Sequence, residues 1–287
     1  MFHSTRNFYI ILSHFLLLFQ MLTNVVVTPD VMSACWAHAL ITEKEEIMGL
    51  LLGKMVKNTL VISAMKVVRR LTKQKDRVEI ENSDLLAGAE FAESLHGSLS
   101  VSGWYHSHPH ITVHPSRFDL ATQASYQTMD KNFVGLIFSV FNYDHNTGID
   151  TNEVAAFQSG RGVGGSYICK NIPLRVEASG GDFGKTVVDA LASIPAILME
   201  EEMEEYNKAM KNSNGVMDRV HNQACFETNL AKQSSLVTGP ILDSIRSREK
   251  SLQDDIKQLQ ERKASLLEKL YAVKGCFFVI YCHLKLL

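Results

Sequence analysis

No charge of either sign dominates this chain. Its 29 lysines and arginines stand against 31 aspartates and glutamates, a formal net charge of -2. No basic patch stands out, so nucleic-acid binding has no electrostatic support and no direct nucleic-acid partner is expected. Cysteines are few and scattered: Cys35, Cys169, Cys225, Cys276 and Cys282. Their number is odd and no C-x-x-C pair occurs, which argues against a disulfide framework and for a reduced compartment. A phosphate loop is also missing. Ser159 to Ser166 (SGRGVGGS) lacks the G-K-[ST] ending and a following helix, and reads as a flexible break.

A clean hydrophobic run of membrane-spanning length is absent too. Phe8 to Leu22 (FYIILSHFLLLFQML) is strongly apolar behind Arg6, but His14 and Gln20 interrupt it. The run is short for a span of about 20 residues. No small-x-small cleavage site follows. A signal-peptide core, a short anchor, a buried strand or helix, and a stretch outside the domain all remain open for residues 1–28. Membrane association is not expected. The apolar tail at 275–287 is equally uninformative.

What remains is ordinary globular material. At 287 residues the length suggests one or two domains, and 46% hydrophobic residues can build a core. Thr28-Pro29-Asp30 reads as a helix start, with Thr28 as N-cap and Pro29 at the first helical position. That helix runs to about Leu40, with His38 a packed histidine on its inner face. Ile47 to Gly53 and Leu60 to Val68 read as buried strands, and Arg69 to Arg77 as a basic polar connection. Ser83 caps a helix with Leu86, Ala89, Glu90 and Glu93 at helical spacing. Leu99 to Tyr105 alternates as a strand. Ser116 starts a helix to about Met129. Phe133 to Phe141, Val154 to Phe157 and Ile172 to Val176 are further strands, with turn chemistry from Asp144 to Gly148. After Phe183 the pattern turns helical, and Glu200 to Glu205 reads as a solvated acidic face. Ile245, Leu252, Leu259 and Leu266 recur every seven residues, with Leu242, Ile256 and Leu270 in the complementary row. Glu249 and Lys263 interrupt that second row. Such heptads over about 242–270 argue a coiled coil that needs a partner helix.

The chemistry concentrates in Gly103 to Asp119 (GWYHSHPHITVHPSRFD). On a strand, residues two apart point to one side, so His106 and His108 can grip one ion together. Asp119 follows Ser116 by one helical turn. Two imidazoles and a carboxylate leave a fourth tetrahedral position open, the pattern of a catalytic zinc site. The same set also suits non-haem iron, and Ser116-x-x-Asp119 is equally a capping box. Metal-dependent hydrolase barrels that begin with H-x-H need later histidines that are not found here in such a context. A hydrolytic site also needs a general base, and Glu45 or Glu46 is the upstream candidate.

Glu46-x-x-Gly49, then His106-Ser-His108-Pro109, then Ser116 and Asp119, resembles the complete JAMM motif of the MPN-plus metalloproteases. The likeness is greatest to the lysine-63-specific deubiquitinase subunits of the BRISC and BRCA-associated A complexes. It is strong over residues 31 to 158 and weaker to about Leu270. The resemblance implies an α+β fold: a mixed, partly curled β-sheet flanked by helices, here spanning 29–180, with a helical coiled-coil extension over 181–274. It implies one zinc ion on His106, His108 and Asp119, with Glu46 as the base and Ser116 as the oxyanion donor. It further implies hydrolysis of lysine-63-linked polyubiquitin and an Abraxas-type inactive MPN scaffold as partner, in a larger complex of the cytoplasm and nucleus. Loss of any of Glu46, His106, His108 or Asp119 would favour a non-catalytic scaffold, and all four are present. A membrane-tethered metalloprotease with another substrate rests on Phe8 to Leu22 alone. His114 departs from the apolar residue expected there, as either an extra ligand or a contact residue.

Overall fold

The structure is a computed structural model that describes residues 22–70, 82–95, 99–144, 148–177 and 184–284. Most of the Phe8 to Leu22 run, most of the Arg69 to Arg77 connection and the last residues of the tail lie outside these. The elements begin with β1 (Asn24–Val27), α1 (Pro29–Ala39), β2 (Met48–Val56), β3 (Thr59–Val67), α2 (Asn82–Ser94) and β4 (Ser100–Pro109). They continue with α3 (Arg117–Met129), β5 (Val134–Asp144), β6 (Ile149–Arg161), β7 (Tyr167–Ile172), β8 (Leu174–Val176), α4 (Gly184–Lys211) and α5 (Val216–Leu284). The eight strands form one sheet in the order β7-β6-β5-β4-β2-β3-β1-β8. β1 pairs parallel with β3 and β8, and β4 pairs parallel with β5. The remaining pairs are antiparallel, so the sheet is mixed as expected.

β4 lies inside the sheet between β2 and β5. It is buried continuously from Ser102 to His108, because helices cover both faces. Alternation sends Trp104 towards α3, where its ring meets Tyr126. Tyr105 goes to the other face and meets His38 of α1. Around Trp104 a core forms from Met48, Leu50, Val68, Leu120, Tyr126, Phe133, Ile137 and Phe157. The histidine strand is thus held by packing before any ion is considered.

Gly49 is where that packing leaves no space. A Cβ there would lie inside the ring of Tyr105, which is fully buried and fixed by a 2.8 Å bond from its hydroxyl to His38 Nδ1. Gly49→Ala is therefore expected to destabilise the fold by about 1–3 kcal/mol, the usual cost of overpacking, measured by urea unfolding.

His38 is a packed, hydrogen-bonded histidine, as its lone position suggests. Burial, aided by the Arg70 charge, lowers its pKa from 6.5 to about 3. The folded state therefore binds fewer protons than the unfolded chain. Stability contributed by neutral His38 is complete above 6.5 and is lost as pH falls towards about 3. At pH 5 the loss is on the order of 2 kcal/mol. Unfolding compared at pH 7 and pH 5 checks this: His38→Gln should show a shallower loss than the wild type.

Several details differ from expectation. Asn24–Val27, assigned with the apolar N-terminal segment, is a sheet strand. Thr28 precedes α1 as expected, with Pro29 in its first turn, but makes no side-chain cap bond. β2 continues past Gly53, which sits at a bulge against β3 rather than at a strand end. The β2–β3 connection is a two-residue turn with Lys57 at φ 57°. Ser83 lies inside α2, and the buried face carries Gly88 and Ala92 while Leu86 is exposed. The face is set by the close approach of Gly88 to Leu50, where a Cβ would come within 2.5 Å of the Leu50 side chain. Ser159 to Ser166 is not a break: it ends β6 and turns into β7, a strand the sequence reading missed.

The acidic run on α4 is the largest correction. Glu201 and Glu202 are buried, not solvated. Glu202 accepts from Asn229 and Gln233 of α5, and Glu201 binds Arg70 at 2.6 Å. The chain divides into two compact units at Ile241 and Leu242, and the second is the C-terminal part of α5. Along it Leu252, Ile256, Leu259, Leu266 and Leu270 are exposed. No helix among the described residues is long and apolar enough to cross a membrane.

Candidate metal centre

β4 extends to Pro109, so His106 and His108 both sit on the strand and share a face. α3 then returns Asp119 to them. Its N-terminus is a complete capping box: Ser116 Oγ accepts from Asp119 N–H at 3.2 Å, and Asp119 Oδ2 accepts from Ser116 N–H at 2.6 Å. The cap therefore aims the carboxylate. Asp119 Oδ1 lies 3.6 Å from His106 Nε2 and Oδ2 lies 3.5 Å from His108 Nε2. All three residues are buried, and one ligand atom from each falls within 4.8 Å of the others. Glu46, buried at the entry to β2, places Oε1 3.9 Å from His108 Nε2. Ser116 is half-buried at the same place. Of the five residues expected from sequence, His106, His108 and Asp119 converge, Glu46 stands beside His108, and Ser116 is bonded to Asp119.

The donor set fits a divalent metal. His108 Nδ1 lies 2.7 Å from the Thr112 carbonyl, which can only accept, so the ring proton belongs on Nδ1 and Nε2 carries a lone pair. His106 Nε2 faces it at 3.1 Å. Two imidazole nitrogens and a carboxylate converge within 4.8 Å of one another. Their pKa shifts set burial against the pull of the neighbouring groups. Burial pushes His106 down, and the pull of Asp119 does not overcome it. Burial also opposes charge on His108. There the bonds to Asp119 and Thr112 and the charges of Glu46 and Asp119 outweigh it, and the pKa rises. Asp119 is opposed by burial as well, yet the two histidines and the Ser116 N–H hold its carboxyl well below the usual range. A cation held by His106, His108 and Asp119 would satisfy all three.

His106 has an uncommon support. Its Nδ1 has no hydrogen-bond partner among the described residues. The ring instead stacks on Trp104, with centroids 4.5 Å apart and planes 16° off parallel. Trp104 is fixed by donating Nε1–H to Gln123 at 2.8 Å. His114, considered as an extra ligand, is exposed and outside the metal-binding group.

Sequence reasoning missed Thr112, Trp104 and above all Arg70 with Glu201. A signal for Glu201 was present. The buried positions of α4 run Val187, Ala190, Leu191, Ile194, Leu198, and one more helical step reaches Glu201 and Glu202.

A family model described as JAB1/Mov34/MPN/PAD-1 ubiquitin protease matches residues 20–132, and one described as BRCC36 C-terminal helical domain matches residues 187–266. The chain is 38% identical over 253 residues to a Xenopus tropicalis protein named Lys-63-specific deubiquitinase BRCC36, covering 85% of this chain and 96% of that protein. The Camponotus floridanus protein of that name is 39% identical over 231 residues, covering 79% and 88%. The Rattus norvegicus one is 34% identical over 286 residues, covering 89% and 98%. With both family models matched and relatives covered nearly end to end, the chain belongs to the BRCC36 family of JAB1/Mov34/MPN/PAD-1 ubiquitin proteases.

Proposed function

We propose that the chain is a zinc-dependent deubiquitinase that hydrolyses isopeptide bonds in lysine-63-linked polyubiquitin. The observation that carries this is the buried His106, His108 and Asp119 group with the Glu46 carboxylate beside it, in a chain of this family. Two neutral imidazoles and one carboxylate favour zinc with one open position. Held there, the ion would supply Lewis acidity, lowering the pKa of water towards about 7 and polarising the scissile carbonyl. Glu46 takes a proton from the attacking water and returns it to the departing lysine amine. Ser116 Oγ uses a lone pair for the Asp119 N–H, which leaves its own O–H free to donate to the oxygen where negative charge develops. No cysteine takes part.

The partner is an Abraxas-type inactive MPN scaffold, engaged through the MPN domain and the heptads of α5, within a larger complex. The exposed row of Leu252, Ile256, Leu259, Leu266 and Leu270 supports this, since a single helix cannot bury its own seam. Scattered thiols support a cytoplasmic and nuclear location. The test is cleavage of lysine-63-linked and lysine-48-linked di-ubiquitin, with and without the scaffold, and with a zinc chelator. Chelator-sensitive cleavage of the first substrate alone, dependent on the scaffold, is expected. A zinc-loaded complex that cleaves neither would overturn the reading.

A further inference from the structure

Glu46 lies in neither helix nor strand, so no ladder of backbone bonds sets its conformation. Something else must hold a base against His108. On one side the hold comes from β4. Ile47 N–H donates to Ser107 Oγ at 2.9 Å, and Ser107 N–H donates to Ile47 O at 3.1 Å. Ser107 is the residue between the two histidines, so the segment is stitched to the ligand strand itself.

On the other side the hold comes from Arg70, whose side chain is 4% exposed. Its Nη1 donates to the Glu46 main-chain carbonyl at 3.0 Å and to Glu45 Oε2 at 3.1 Å. Its Nη2 and Nε donate to Glu201 of α4, at 2.6 Å and at 3.1 to 3.2 Å. The Arg70 backbone N–H also donates to Glu201 Oε1, at 2.8 Å. One planar fork thus links a helix of the C-terminal extension to the peptide that carries the base. Glu201 neutralises the guanidinium and fixes its plane, and that plane directs Nη1 at the Glu46 carbonyl. A lysine could neutralise Glu201 but could not reach both partners in fixed geometry.

We infer that Arg70 is a positioning residue for Glu46, oriented by Glu201, so that the seating of α4 sets the placement of the base. This rests on the reading of Glu46 as the base. An ion pair that only anchored α4 would change the yield of folded protein but not the turnover of each folded, metal-loaded molecule.

The test uses the full chain, with its scaffold if cleavage requires it, as wild type, Arg70→Lys and Glu201→Gln. Zinc content, kcat and KM for lysine-63-linked di-ubiquitin, and hydrogen exchange at the Ile47 amide are measured for each. Per zinc-loaded molecule, kcat should fall about tenfold to a hundredfold, the scale of a misplaced catalytic group. KM and zinc content should stay near wild type, and exchange at Ile47 should quicken. Unchanged kcat together with unchanged exchange overturns the inference. Glu201→Asp, which keeps the charge and shortens the reach, replaces Glu201→Gln if that variant does not fold. If the wild type itself does not cleave, the hydrolase reading fails. Exchange at Ile47 then decides on the clamp alone, and unaltered exchange removes it.

Discussion

Glu46→Gln should bind zinc as the wild type does and lose lysine-63 di-ubiquitin cleavage by about 10²–10⁴-fold, the contribution of a positioned acid-base group. The substitution is nearly isosteric, so the buried site keeps its shape. An amide cannot accept the proton that the carboxylate takes, and it cannot pass one to the leaving amine. The metal should survive because the three converging ligand atoms come from His106, His108 and Asp119, while Glu46 stands 3.9 Å to one side of His108. Steady-state cleavage paired with zinc analysis separates the alternatives. Cleavage at the wild-type rate would remove Glu46 as the base. Loss of zinc along with activity would make Glu46 a ligand instead.

The convergence of His106, His108 and Asp119 could be read from sequence because the place of each is set by local geometry. His106 and His108 share a face by strand alternation, and Asp119 is placed by a capping box four residues long. The α5 heptads are legible for the same reason. Features that depend on distant neighbours were not. Arg70 and Glu201 are 131 positions apart, and nothing local separates a buried arginine from the half-buried Arg69 next to it. The buried face of α2 is not marked in the sequence, because Gly88 carries no hydrophobic side chain and its burial is decided by Leu50. β7 was missed because its residues are largely exposed at the sheet edge, without the alternation of a half-buried strand.

Asp119 has two tasks that a pair of substitutions should separate. Its carboxylate faces both imidazoles at 3.5 to 3.6 Å and also closes the cap with Ser116 at 2.6 Å. Asp119→Asn retains an oxygen for the Ser116 N–H, so the start of α3 should hold. With that oxygen in the place of Oδ2, the amide nitrogen takes the place of Oδ1 and turns an N–H donor towards His106 Nε2, where a ligand oxygen is needed. We therefore expect a folded protein whose zinc affinity drops by more than about a hundredfold, beyond the effect of losing a supporting residue around a metal site. Cleavage should disappear with the metal. Ser116→Ala should do the reverse. It removes the cap acceptor at a cost of about 1 kcal/mol in stability. Zinc should be retained, and cleavage should fall by about 10²–10³-fold with the loss of an oxyanion donor. Competition against a chelator reads the first effect, and denaturant unfolding with steady-state kinetics reads the second. Wild-type zinc affinity in Asp119→Asn would remove Asp119 from the ligand set. Loss of zinc in Ser116→Ala would mean that the hydroxyl acts on the site by aiming Asp119, with no need for a direct bond to the substrate.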